Sequence, residues 1–185
     1  AAAKSFGTLS RLGASAGNVA DSDVVRVTNR GILQTAGNGS PALMVQSIAG
    51  GGGYIAETNA LARYSVTLAG SNLTSANAGD VKFTNTGRSL VTVGAYSPAL
   101  VAQSIGGGGG YAGRMNAAII SLGANGYVSS NSGDVVVNNS GDIGTTGQDS
   151  AGILAQSLAG GGGFMSARTI DEMYLGSLYT ANSTS

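Results

Sequence analysis

Hydrophobic and polar positions alternate along two short stretches of the chain, and a third stretch matches them in place. Val25-Arg-Val-Thr and Val81-Lys-Phe-Thr put an apolar residue at every second position, and Val135-Val-Val-Asn stands in the same place further on. A period of two with β-branched residues predicts half-buried strands over 25–29, 81–85 and 135–139. Each stretch runs into Asn-x-Gly (ending at Gly31, Gly87 and Gly141), a turn signal in which Asn and Gly accept positive φ. A second set of stretches is apolar almost throughout: 43–48, 100–105 and 153–158. Ser-Pro at 40–41 and 97–98 would also suit a helix start, with Ser as cap and Pro at the first helical position. The third copy carries Gly152 where the others have Ala, which weakens a helix. A buried strand fits all three copies, with Pro allowed at its opening residue.

The two patterns belong to one internal repeat. Gln46, Gln103 and Gln156 lie at spacings of 57 and 53 in a shared block that ends in a glycine run and then Tyr54, Tyr111 or Phe164. A third block leads into Asp23, Asp80 and Asp134. Three blocks in one order, three times over, divide the chain into a half repeat (1–23) and repeats at 24–80, 81–134 and 135–185, all within a single domain, 1–185. A repeat of 53–57 residues is too long for one narrow rung, so each copy folds into several strands. Copies that cannot bury an apolar face alone bury it against their neighbours. The expected fold is all-β: a parallel β-helix, or β-solenoid, of about three repeats.

Stacking assigns roles to the recurring polar and aromatic positions. Asn29, Asn85 and Asn139 are expected to form one hydrogen-bonded amide ladder, and Gln46, Gln103 and Gln156 another. Tyr54, Tyr111 and Phe164 read as an aromatic column. The competing reading, in which these side chains face a ligand, is the weaker one.

Composition then narrows the function. Charged residues make up 10% of the chain and cancel to a net charge of zero, which argues against nucleic acid and anionic membranes as partners. No apolar run reaches the ~20 residues of a membrane helix. The chain has no His and no Cys, so the commonest general base and the commonest metal ligands are absent. No catalytic, cofactor-binding or metal-binding residue is assigned, and no cofactor is expected. The glycine runs at 50–53, 106–110 and 160–163 are followed by Tyr or Phe and not by the Lys of a phosphate loop. The once-per-repeat Asp23, Asp80 and Asp134 lack the dense spacing of a calcium β-roll, and turn or cap duty suits them better. The acids are scattered apart from the pair Asp171-Glu172, so a polysaccharide-cleaving groove is not indicated. A regular Thr array of the kind an ice-binding solenoid would carry is also missing.

Gly133-Asp-Val135, the Asn139-Ser-Gly141 turn and Gly152-Ile-Leu-Ala-Gln-Ser-Leu-Ala-Gly160 resemble the repeats of very large bacterial autotransporter-type surface proteins. The resemblance runs from about Leu12 onward. It implies a secreted passenger built as a parallel β-helix and displayed at the bacterial cell surface. The chain is far shorter than such passengers and carries no membrane-barrel segment. No long non-repeated insertion of the sort that carries adhesin binding loops is visible. No terminal cap is recognisable in 1–23 or in 175–185, and an uncapped solenoid exposes unpaired strand edges. The expected function is therefore a structural subunit of an extracellular filament or surface layer, joined head to tail, with the chain itself as partner. The alternative is an adhesin passenger that binds glycans or a host surface.

Overall fold

The structure, a computed structural model, describes residues 9–12, 20–57, 65–68, 76–123 and 129–176. Parts of the half repeat 1–23, of the block leading to each of Asp80 and Asp134, and the stretch from 177 to 185 lie outside them. The side chains of Asp171 and Glu172 do too.

The described residues form fourteen strands and no helix. They are β1 (Leu9–Leu12), β2 (Val25–Asn29), β3 (Ile32–Thr35), β4 (Leu43–Ile48), β5 (Gly52–Glu57), β6 (Ser65–Leu68), β7 (Val81–Asn85), β8 (Ser89–Thr92), β9 (Leu100–Ile105), β10 (Gly109–Leu122), β11 (Val135–Asn139), β12 (Asp142–Thr145), β13 (Ile153–Leu158) and β14 (Gly162–Leu175). Every pairing is parallel. Three sheets stack one strand per repeat, in the orders β11-β7-β2, β12-β8-β3 and β13-β9-β4. A fourth sheet runs β1-β6-β10-β14, with β5 also on β10. The molecule is thus a parallel β-helix of three rungs.

Register follows the repeat without slippage in the three short sheets. Val25 pairs with Val81 and Val81 with Val135; Gln46 pairs with Gln103 and Gln103 with Gln156. A one-residue slip would turn each strand's apolar set to the opposite face, so the buried cluster holds the register. That cluster joins Val81, Phe83, Leu90, Leu100, Ala102 and Val45, with Val27, Leu33, Val137 and Ile143 packed on it. A second cluster joins Ile55, Val66, Leu68, Ala112, Ile120 and Leu122. Ala112 and Ile120 belong to the two halves of β10, so this strand bends back toward itself. Its pairing with β14 shifts register between Ala112 and Arg114 and again between Met115 and Asn116, which is where a bulge would bend it.

The apolar runs of the Gln blocks are strands and not helices, at 43–48, 100–105 and 153–158. In the middle rung, β9 is buried along its whole length. One face of it joins the first cluster, while Gln103 on the other reaches the Gly110 carbonyl of β10 at 3.5 Å. This is the environment in which a strand reads as a continuous apolar run.

Candidate functional site

With no catalytic cluster to build from, the features that carry chemistry are the columns running up the stack and the edges where the stack ends. The first column starts at the ends of β2, β7 and β11. Asn29 donates from Nδ2 to Asn85 Oδ1 at 2.9 Å, and Asn85 Nδ2 donates to Asn139 Oδ1 at 2.7 Å. Each amide also closes its own turn: Gly31 N–H and Gly87 N–H donate to Asn29 Oδ1 (3.1 Å) and Asn85 Oδ1 (3.2 Å). The glycines of these turns differ from the sequence expectation. None of Gly31, Gly87 and Gly141 has a positive φ, and neither do the three Asn residues. Glycine is needed at 87 and 141 for another reason. A Cβ there would lie 2.2 Å from the Gly31 carbonyl oxygen and 2.1 Å from the Gly87 carbonyl oxygen respectively, both in the rung beneath.

The second column is Gln46 Nε2 to Gln103 Oε1 and Gln103 Nε2 to Gln156 Oε1, both 2.7 Å. Gln103 is fully buried, and among the described residues no buried side-chain nitrogen or oxygen lacks a hydrogen-bond partner. The rings of Tyr54, Tyr111 and Phe164 form a column of their own, with centroids 5.6 Å apart at both steps. The Tyr54 hydroxyl donates to the Gly39 carbonyl, and the Tyr111 hydroxyl to the Tyr96 carbonyl at 3.0 Å. Burial pushes both phenols up to about 12; the neighbouring Tyr111 adds to the effect on Tyr54, while a hydrogen bond with Ser166 pulls Tyr111 slightly the other way.

Two further columns are made by hydroxyls that sequence reasoning did not single out. Ser47, Ser104 and Ser157 follow the Gln residues. Ser104 Oγ donates to the Gly79 carbonyl and accepts from Gly133 N–H, both at 2.8 Å, so it ties the segments before β7 and β11 to the back of β9. Ser47 does the same one rung down, with Asp23 O (2.9 Å) and Gly79 N–H (3.1 Å), and Ser157 bonds Gly133 O at 2.8 Å. Ser40, Ser97 and Ser150 form the other column: Ser40 N–H donates to Ser97 Oγ (2.9 Å), and Ser97 N–H to Ser150 Oγ (3.0 Å). Thr35, Thr92 and Thr145 close the adjoining turns on the carbonyls of those serines. Their recurrence at fixed places in each repeat was the available signal.

Two of the three recurring aspartates, Asp23 and Asp80, bond backbone amides. Asp23 accepts from Val24 N–H at 2.6 Å, and Asp80 accepts from Asp134 N–H at 3.1 Å. That amide bond, with the Lys82 ammonium 3.2 Å away, holds the Asp80 carboxyl below its ordinary range. Among the described residues no three acidic side chains come together to hold a metal.

Among the described residues, β2, β3 and β4 are edge strands at one end of the stack, and β11, β12 and β13 at the other. The end rungs lose the cover that the middle one has: Leu100 is fully buried, while Ile153, its register partner on β13, is 45% exposed. Beside Phe164 at this end lies an open groove of about 530 Å³ lined by Tyr96, Asp149, Ser150, Met165 and Ser166. No protein-family model, curated protein or solved structure matches the chain.

Proposed function

We propose that the chain is a structural subunit of an extracellular bacterial filament or surface layer, and that it assembles head to tail through the ends of its β-helix. One observation carries this reading: in the three short sheets the edge at the third rung has the same strand order, register and column residues as the surface on which the third rung itself sits. Val135, Asn139 and Gln156 stand where Val81, Asn85 and Gln103 stand one rung below. Whatever accepts one rung on the next would accept a further rung. An end-to-end contact of this kind is heterologous and does not close on itself, so it grows into a fibre. The absence of net charge removes the electrostatic obstacle to close self-association. The resemblance of the Ala-Gln-Ser and Asn-x-Gly elements to autotransporter-type repeats supports a secreted, surface-displayed setting.

A concentration series followed by light scattering tests this reading, with negative-stain micrographs of the same samples. Assemblies that lengthen with concentration are expected. A protein that remains a folded monomer at high concentration overturns the proposal.

A second reading has an observation of its own. The groove beside Phe164 pairs an aromatic face with Asp149 and Ser150, the mixture of apolar wall and few polar groups typical of small-ligand sites. An adhesin passenger would use it for a glycan. Glycan binding abolished by Phe164→Ala in a protein that does not assemble would favour that reading.

A further inference from the structure

We propose that the corner between the β2/β7/β11 sheet and the β3/β8/β12 sheet binds an anionic polysaccharide, with Arg30 and Arg88 holding its carboxylate or sulfate groups. The corner lies on the flank of the stack. The inference therefore goes beyond the assembly reading and stands apart from what meets at either end.

The first argument is that the net charge of zero is sorted by sign. The cationic side chains among the described residues are Arg26, Arg30, Lys82 and Arg88, and all four lie on β2, on β7 or in the turns that follow them. Asp23, Asp80 and Asp134 stand at the other end of the same strands, just ahead of β2, β7 and β11. Asp80 engages Lys82 at 3.2 Å. From Asp80 to the turn at Thr86 the chain runs ~20 Å at ~3.3 Å per residue. That is more than twice the ~8 Å over which physiological salt screens exposed charges, so these acids leave the cations of the turn unneutralised.

The second argument is that an insertion puts Arg88 there. Asn29 and Asn85 are 56 positions apart, whereas Gln46 and Gln103 are 57 apart. The added residue is Arg88: Gly31 runs straight into Ile32, the register partner of Ser89, and Gly141 runs straight into Asp142, which pairs with Ser89 as well. One extra residue in a stacked turn re-aims a side chain, and this one is an exposed arginine. It lies one rung, ~4.8 Å, from the turn that carries the exposed Arg30. Like charges stacked so closely repel, and among the described residues neither arginine has an ion pair. Asp142, on the next rung, makes none with either and bounds the site on that side. An oxyanion shared by the two guanidinium forks removes the repulsion and accepts their hydrogen bonds.

The third argument is what stands beside the corner. Thr28, Thr84 and Asn138 are register partners on the outward side of β2, β7 and β11, a row of hydroxyls and an amide that suits sugar hydroxyls. That face carries no aromatic ring on which a nucleobase could stack. Its apolar side chains are no larger than valine, too small to anchor in a lipid surface. Arg26, ~13 Å before Arg30 along the strand, gives a chain of repeated charges a second point of contact, weaker because Asp80 also feels it.

Binding to immobilised heparin and polygalacturonate tests the site, with dextran as the uncharged control. A thymidine oligonucleotide and phosphatidylglycerol vesicles serve as the other polyanions. The wild type should bind at least one of the two polysaccharides saturably, release it as salt is raised, and leave dextran alone. Arg30→Ala and Arg88→Ala should each weaken binding about tenfold, the loss expected for one hydrogen-bonded charge contact. Asp142→Asn should strengthen binding, since it removes the acid beside the site. All three positions are exposed, so the circular dichroism and melting temperatures of the variants should match the wild type. Deletion of Arg88, which gives its turn the length found in the other two rungs, should bind as weakly as Arg88→Ala. A wild type that binds neither polysaccharide overturns the inference, as does undiminished binding by a folded Arg30→Ala, Arg88→Ala double variant. Tighter binding to the oligonucleotide or the vesicles than to either polysaccharide gives the corner a different partner and overturns it too. None of these outcomes depends on whether the protein lengthens into fibres, so this inference and the assembly reading fail separately.

Discussion

Gln103 shows what a single residue contributes in a stack. It is fully buried, accepts from Gln46 and donates to Gln156, so a leucine there leaves a carboxamide group without its partner on either side. A buried polar group stripped of its partner costs about 1–3 kcal/mol. Gln103→Leu should lower stability by that order in chemical denaturation, whereas Ser129→Ala, at an exposed position, should change little. Equal midpoints for the two would contradict the ladder. Ser104→Ala should be comparably harmful, since it removes a buried hydroxyl that bonds Gly79 and Gly133. The Gln and Asn positions were legible in the sequence because amides are costly to bury and recur in step. The serines recur as regularly, but a hydroxyl is common on any surface, and only the packing of the segments before β7 and β11 against β9 reveals its two bonds. Tyr54 and Tyr111 make a prediction in pH. Their phenols titrate at about 12 in the folded chain against the ordinary 10.0. Between those values the unfolded chain holds fewer protons than the native one, so stability is full below pH 10 and falls as pH rises toward 12. Melting temperatures measured across this range should decline less steeply in a Tyr54→Phe, Tyr111→Phe double variant; an unchanged slope would show that the phenols do not control it.

At the scale of the element, the strands divide by how they announce themselves. β2 and β7 alternate apolar and polar residues, β11 holds the same place in its repeat, and all three were legible with their bounds. β4, β9 and β13 were legible as strands only once Gly152 weakened the helical alternative. β10 and β14 were not legible. Each opens with glycines, which have low strand propensity and ordinarily mark a turn. The reason glycine opens them is tertiary. Gly109 has φ 135°, and a Cβ on it would lie 1.7 Å from the Gly162 carbonyl oxygen of the next rung. No rotamer relieves a clash with backbone, so Gly109→Ala should part β10 from β14 at this point. Loss of amide-exchange protection at the start of β14 is the expected result, and wild-type protection there would contradict it. The Asn-x-Gly turns carry the same lesson. The motif was legible, but its cause, a carbonyl in the neighbouring rung and not a left-handed φ, appears only when copies are laid on one another.

At the scale of the whole molecule, three rungs stack in register along matched columns. The repeat and its 53–57 residue period were legible in the sequence, and with them the parallel stack; the bent fourth sheet was not, because part of each return path is carried by unremarkable Ala, Ser and Gly residues. Parallel strands stack about 4.8 Å apart, so three rungs per copy set an axial rise of about 14 Å for each subunit of a head-to-tail fibre. Helical diffraction from images of aligned filaments, or fibre diffraction from a drawn sample, measures both spacings at once. A head-to-tail fibre of this chain should give a strong meridional reflection at ~4.8 Å with a subunit rise of ~14 Å, three strand layers to each copy. A filament whose subunit rise is not three strand spacings, or strands that run across the reflection's expected direction, would contradict it.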